Sequence, residues 1–350
     1  MPEQKNYGLI IPDIITREQG AEHLGAVGDK PTINPSGIWP LPDREPQNKN
    51  GVETFACTVY GMLSALESLI LLKTGIKVNY ADRYVANVAK NRGVLDPRQG
   101  ADPHKIAELI REITGNIRED RAPWGDDVKS TADYYNIVGQ QLATLMLEGT
   151  AWYKEWKLEH KWVYVGGTPE QKRFALKDAL IKGPVCVSVD AWSKQGDLYV
   201  KLRGENHWTM LTSAIDDKPY RVFDSYDNYE KDLDPLYDFS IAKVYYLTPV
   251  TPAPRPFLKN LVLMQTDPEV ARLQEALVGL GYPIPGATTN FYGAGTKEAV
   301  GHFQRNNGIV GDNGMHFGPL SRLKMNKALQ PNLTAGGSVW TFIQSLFSSV

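Results

Sequence analysis

Apolar positions in this chain recur with two different periods, and the change of period divides it. Val59, Met62, Leu63, Leu66, Leu69 and Ile70 fall at helical spacing and predict a helix over 52–74, ended by Gly75. Thr54 or Thr58 is its expected cap. A second helix is predicted over 80–91, begun by Asn79 or Asp82. A third opens at Asp102-Pro103 and runs through Ile106, Leu109, Ile110 and Ile113 to Gly115. Helices are also expected over 134–147 and from Thr168-Pro169 through Leu176 and Leu180, with a strand at 162–165. From 185 the pattern changes to short β-branched or aromatic runs between Gly, Asp and Pro, at 185–189, 198–202, 208–215, 220–223 and 242–248. Helices first and strands second predict an α+β domain with an antiparallel sheet.

Outside this domain the punctuation is dense. Residues 1–45 read as an irregular extension whose Trp39 and Leu41 pack onto the α+β domain. The run VTPAPRP makes 251–256 a proline-rich linker. Helical stripes return at Val270, Leu273, Leu277 and Leu280 and at Ala299, Val300 and Phe303, giving a small all-α domain over 257–330. The last stretch, 331–350, is an amphipathic tail. Its polar face carries no basic residue, so it is expected to dock on protein, its own or a partner's, rather than on membrane.

Composition narrows the functional classes. A net charge of −2 over 350 residues leaves no basic footprint, so nucleic acid is not an expected partner. The apolar run near the start is too short for a signal peptide, and no run approaches a membrane span. The expectation is synthesis in the cytoplasm without a signal peptide. Cys57 and Cys186 are too few for a disulfide framework, and no Cys/His spacing resembles a zinc site. No metal or organic cofactor is expected. Cys186, inside an apolar run, reads as core, and His104 and His160 read as surface histidines.

The candidate chemistry starts at Cys57, which heads the first helix. A helix N-terminus offers free N–H groups and about half a positive charge, which favours thiolate over thiol. A nucleophilic cysteine needs a base, and the base needs an orienting group. His207 enters one strand, and Asp224 lies seventeen residues on, at the end of the next. Adjacent antiparallel strands would bring them together, Asp224 fixing the tautomer while the other ring nitrogen takes the thiol proton. Glu53 is near enough to matter, and reads otherwise as a charge at a helix start.

Residues about 40 to 250, with the domain itself taken as 46–250, resemble the papain-like cysteine peptidases. The resemblance rests on Cys57 heading a helix, on Asn206-His207 150 residues later, and on Asp224-Ser225-Tyr226 where that family has Asn-Ser-Trp. It implies a two-lobed fold, helical lobe plus antiparallel β lobe, with Cys57, His207 and Asp224 as catalytic residues. The family's oxyanion glutamine stands six residues before the cysteine, where this chain has Gly51. Gln47 is the nearest glutamine and the candidate for that role. The Gly-Ser-Cys-Trp signature is replaced by Phe55-Ala56-Cys57-Thr58. Asp in place of Asn occurs in other Cys-His-Asp enzymes, transglutaminase-like acyl transferases among them.

Residues 257–330 resemble the small peptidoglycan-binding domain found on many wall hydrolases. The matching elements are Leu273-Gln274, Leu280-Gly281-Tyr282, Gly293-Ala294-Gly295-Thr296 and Phe303-Gln304. Together the two resemblances imply a cysteine peptidase held at the bacterial cell wall, acting on a stem or cross-bridge peptide or a wall-associated protein. A phage lysis or virion origin fits the absent signal. The alternatives are a structural or adaptor protein that kept the fold, and a Cys-His-Asp acyl transferase.

Overall fold

The computed structural model describes residues 7–16, 30–250, 257–285, 289–310 and 314–329. The expected linker at 251–256 and tail at 331–350 lie outside the described residues. Contacts divide the chain into two units, Met1–Val250 and Thr251–Val350.

The first unit begins its regular structure with α1 (Cys57–Thr74) and α2 (Asp82–Asn91), then a two-residue hairpin of β1 (Leu95–Asp96) and β2 (Gly100–Ala101). Next come α3 (Pro103–Leu109), which runs on into a π-helical turn, α4 (Thr131–Tyr134) and α5 (Gly139–Gly149). β3 (Trp156–Trp162), α6 (Pro169–Leu180), β4 (Val185–Val189), β5 (Lys194–Gln195), β6 (Leu198–Tyr199), β7 (His207–Ser213), β8 (Tyr220–Phe223), β9 (Glu230–Leu233) and β10 (Ala242–Pro249) complete it. The strands from β3 onward form one eight-stranded sheet in the order β3-β10-β4-β7-β8-β9-β6-β5. All its pairings are antiparallel except β6 with β9.

α1 is buried on nearly every side, from Cys57 through Ile70. Its eighteen apolar-rich residues would be long enough to cross a membrane, yet here they are the core helix, seated on the sheet. A helix apolar all round has no solvent face to offer. Gly61 sets how closely it lies on β7: a Cβ there would meet the Trp208 side chain at 3.1 Å and its carbonyl oxygen at 3.2 Å. The Cys186 thiol donates to the Gly61 carbonyl across the same contact, at 3.1 Å, which places Cys186 in the core as expected.

Several local expectations are corrected. α1 starts at Cys57 after Ala56, and no side chain caps it. Phe55 takes a left-handed backbone (φ 55°), and the Thr54 hydroxyl turns back to donate to the Gln47 carbonyl. The predicted helix over 134–147 is broken between α4 and α5. There Asn87 of α2 donates to the Tyr134 carbonyl and accepts from the Ile137 N–H, so a side chain of α2 replaces the missing helical bonds. The strand expected at 162–165 lies at β3, and the strand expected at 198–202 is only β6. Strand β9 was not anticipated; its residues are Glu-Lys-Asp-Leu, with no apolar run to announce it.

The second unit has β11 (Leu261–Val262), α7 (Pro268–Gly279), α8 (Ala294–Asn306), β12 (His316–Phe317) and α9 (Pro319–Leu329). Asp267 caps α7. Leu273, Leu277, Ala299, Val300 and Phe303 are buried together as their spacing predicts, while Leu280 is only partly covered. Gln274 ties the unit internally by donating to Thr296, and Gln304 by donating to Ser321.

Candidate active site

Each of the four residues singled out in the sequence is fully or almost fully buried, and they meet where the head of α1 faces β7 and β8. Cys57 is the first residue of α1. Its sulfur receives the backbone N–H of Trp208, the residue after His207, and that of Thr58. His207 opens β7 and Asp224 comes directly after β8. The antiparallel register that pairs Met210 with Phe223 brings their side chains within reach. His207 Nε2 lies 2.5 Å from Asp224 Oδ1, and its Nδ1 is buried with no hydrogen-bond partner among the described residues. The ring is held edge-on by Trp192 and Tyr226, at centroid distances of 5.6 and 5.2 Å.

Asp224 is itself held. Lys231 of β9, also buried, donates to Asp224 Oδ2 at 2.9 Å and to the carbonyls of Tyr226, Asp227 and Asn228. Its ammonium also sits 4.7 Å from the centre of the Trp192 ring. Burial alone would raise the Asp224 carboxyl; the His207 ring and the Lys231 ammonium outweigh it and hold the group below the usual carboxylate range. Lys231 is the residue here that sequence reasoning missed, because its strand carries no hydrophobic signal.

Gln47 is wholly buried and joins the same cluster. Its backbone N–H donates to the Ser225 carbonyl and its side-chain oxygen accepts from the Ser225 hydroxyl. Its amide nitrogen meets Glu53 at 3.0 Å, the Tyr226 hydroxyl at 2.9 Å and the carbonyl oxygen of Tyr7 at 3.0 Å. Glu53 in turn accepts from the Tyr226 hydroxyl. It is therefore a member of this network, not a bare charge at a helix start.

The Tyr7 contact shows what covers the site. Residues 7–10 cross it as an extended strap. The Tyr7 N–H donates to the carbonyl of Asn206, its ring stands 5.9 Å from that of His207, and its carbonyl faces Gln47. Further along, Ala101 of β2 donates to the Gly8 carbonyl and accepts from the Ile10 N–H, so Leu9 pairs with it in parallel. Gly8 is required: its φ is +108° and a Cβ would fall 2.2 Å from the Phe55 carbonyl oxygen. A cavity of about 440 Å³ that includes Lys231, Lys194 and Tyr199 is bordered by neither Cys57 nor His207.

Burial changes the state of the thiol. Burial pushes Cys57 up, well above the usual cysteine value; the Trp208 N–H pulls it down, the Asp224 and Glu53 carboxylates push it up, and the Thr58 N–H pulls it down again. Burial wins, so the fold favours thiol over thiolate here, against the expectation from its place at a helix N-terminus. Helix-end charge stabilises a partly hydrated thiolate by about 1 kcal/mol, less than dehydrating an anion costs.

A second cluster lies elsewhere in the unit. His104 and Glu108 of α3 and His160 of β3 bring one nitrogen or oxygen each within 4.8 Å of the others, the kind of set that could hold a metal ion among the described residues. The expectation that His160 is a surface histidine is wrong. It faces inward on β3 between Leu158 and Trp162, and its side chain is 2% exposed. The alternation in Trp-Lys-Leu-Glu-His-Lys-Trp carried that signal. His104 is half-buried.

A helical half whose cysteine-bearing helix lies against an antiparallel sheet that carries histidine and aspartate is the papain-like α+β fold. Solved structures similar to this chain include Xylellain, a cysteine protease from Xylella fastidiosa (14% identity, 70% of this chain and 96% of that one, TM-score 0.45). The Amb a 11 cysteine protease of ragweed pollen in its proform is another (14%, 59% and 62%, TM-score 0.39). The digestive procathepsin L 3 of Tenebrio molitor is a third (12%, 64% and 76%, TM-score 0.38). The chain thus spans under two thirds of the ragweed protein. Residues 266–314 match the family described as a putative peptidoglycan binding domain. No curated protein matches the chain.

Proposed function

We propose that the protein is a cysteine peptidase directed to bacterial peptidoglycan. Cys57 is the nucleophile, His207 the base and then the acid, and Asp224 the group that orients the ring. Gln47 supplies an amide N–H to the oxyanion. The observation that carries this reading is the 2.5 Å bond from His207 Nε2 to Asp224, beside a cysteine whose sulfur accepts the N–H of the next residue. That bond leaves Nδ1 as the nitrogen available to the thiol. The thiolate attacks a peptide carbonyl carbon, the C–N bond breaks, and the imidazolium gives its proton to the leaving amine. Water then hydrolyses the thioester. The strap supports a peptide as substrate, since the cleft already holds extended backbone with a carbonyl on the Gln47 amide. The peptidoglycan-binding match supports the wall as the place of action, where tethering raises local concentration. The residues divide into an extension (1–45), the peptidase unit (46–250), a linker (251–256), the wall-binding unit (257–330) and a tail (331–350).

The test compares wild type with Cys57→Ala on purified peptidoglycan and on a denatured protein, reading new amino termini. New termini from wild type alone support the proposal; none from a chain freed of residues 1–16 would end it. One observation favours a scaffold instead: Cys57 is fully buried, and burial pushes its thiol up. Selective, pH-dependent alkylation of Cys57 over Cys186 in the truncated chain argues for the enzyme, and equally slow alkylation of both argues for the scaffold.

A further inference from the structure

We propose that His104, Glu108 and His160 form a binding site for a late first-row divalent cation of the zinc class, which clamps helix α3 to strand β3. His104 and Glu108 stand four residues apart on α3 and so share one face of that helix. His160 comes from the sheet. Glu108 Oε1 lies 3.0 Å from His160 Nε2 and 3.8 Å from His104 Nε2. Ligand atoms around tetrahedral zinc stand about 3.3 Å apart, given bonds of about 2.0–2.1 Å, so small side-chain rotations close the set.

The independent observation is His160 itself. Its side chain is almost completely buried, and neither ring nitrogen has a hydrogen-bond partner; the approach of Glu108 lacks hydrogen-bond geometry. Among the described residues both nitrogens of this buried ring go unsatisfied, which is costly, and an ion at Nε2 satisfies one of them. The carboxylate is already oriented from behind, as metal ligands usually are. Arg111 holds Glu108 Oε2 at 2.6 Å. The side chains of His104 and Glu108 are 13% and 30% exposed, so an ion and a completing water enter from their side.

The charges around the cluster choose the class of ion. Arg111 faces Glu108 with positive charge and Glu112 with negative, while burial lowers the Lys243 amine to about 7. There is no surplus of anionic oxygen to hold calcium or magnesium. Two imidazole nitrogens and one carboxylate suit zinc or cobalt, whose bonds to nitrogen do not depend on net site charge.

The experiment uses the full chain, without an affinity tag, carrying Cys57→Ala so that the other site's thiol takes no metal. Co2+ is titrated and then displaced by Zn2+, with thermal melts alongside. The expected result is one equivalent of Co2+ with a visible absorption band and its loss on adding Zn2+. Tm should rise by about 5 °C at a hundredfold excess over Kd. His160→Gln and, should that fold poorly, the half-buried His104→Ala each weaken binding at least about tenfold. Absence of the band and of the Tm shift overturns the proposal, as does binding unchanged in a folded variant. An equal Tm response to Ca2+ or Mg2+ overturns it as well.

Discussion

Two buried histidines in one unit are treated in opposite ways. His207 has its Nε2 on Asp224, and Asp224 has its second oxygen on Lys231, so charge is balanced step by step into the sheet. His160 has a carboxylate as near as 3.0 Å and two basic side chains beyond it, yet no hydrogen bond to either nitrogen among the described residues. Burial is the same; satisfaction is not. A buried ring anchored through one nitrogen holds one geometry, while a ring anchored through neither is the candidate place for a further group.

Four outcomes break or sharpen that contrast. The largest is at the complete site: His207→Ala should lower turnover of a cleaved peptide by about 10⁴-fold or more, measured as kcat/KM in the chain lacking residues 1–16. Lys231→Met should come next. It strands the Asp224 charge in the core and should cost about 3–5 kcal/mol in urea unfolding. Between these histidines in effect stand the carboxyls. Asp224 is held low by its partners, so its contribution is present above about pH 4 and is lost as pH falls further. Burial raises Glu119 to about 8, so its contribution is present below its unfolded value of about 4.5 and is lost as pH rises toward 8. Stability should fall by up to about 1.4 kcal/mol per pH unit per such group across that window, and Glu119→Gln should flatten the decline. The smallest effect is at the incomplete site. In metal-free protein His160→Phe should change stability by less than about 1 kcal/mol, because it removes nitrogens that have no partner.

The strap allows a separate measurement on the complete site. Gly8→Val cannot keep the observed backbone, so the strap should leave the cleft and the Cys57 thiol should hydrate. Alkylation by a small reagent should then quicken at least about tenfold, which corresponds to about 1.4 kcal/mol of lost closure.

Legibility in the sequence tracks the range of the interactions. α1 was legible because its apolar spacing is local, and His207 with Asp224 because two neighbouring strands are a short-range pattern. The second unit was legible for the same reason, through Leu273, Leu277 and Phe303. Gln47 could be named only by its residue type, since its bonds run to Ser225, Tyr226 and Tyr7, far away along the chain. The missing cap of α1 and the break after α4 were hidden because groups from other elements satisfy the backbone there. The upward shift of Cys57 was hidden too: nothing local says how completely the folded chain buries it.

The close seat of α1 on Trp208 through Gly61 has a consequence for the newly made chain. A helix with no wettable side is poorly soluble until the strand beneath it exists, and that strand is translated some 150 residues later. A ribosome that has emitted the cysteine has therefore produced neither a stable helix nor a reactive sulfur. Until the sheet is threaded, this stretch keeps its apolar surface exposed, and Cys57 comes together with His207 and Asp224 only in the nearly finished unit.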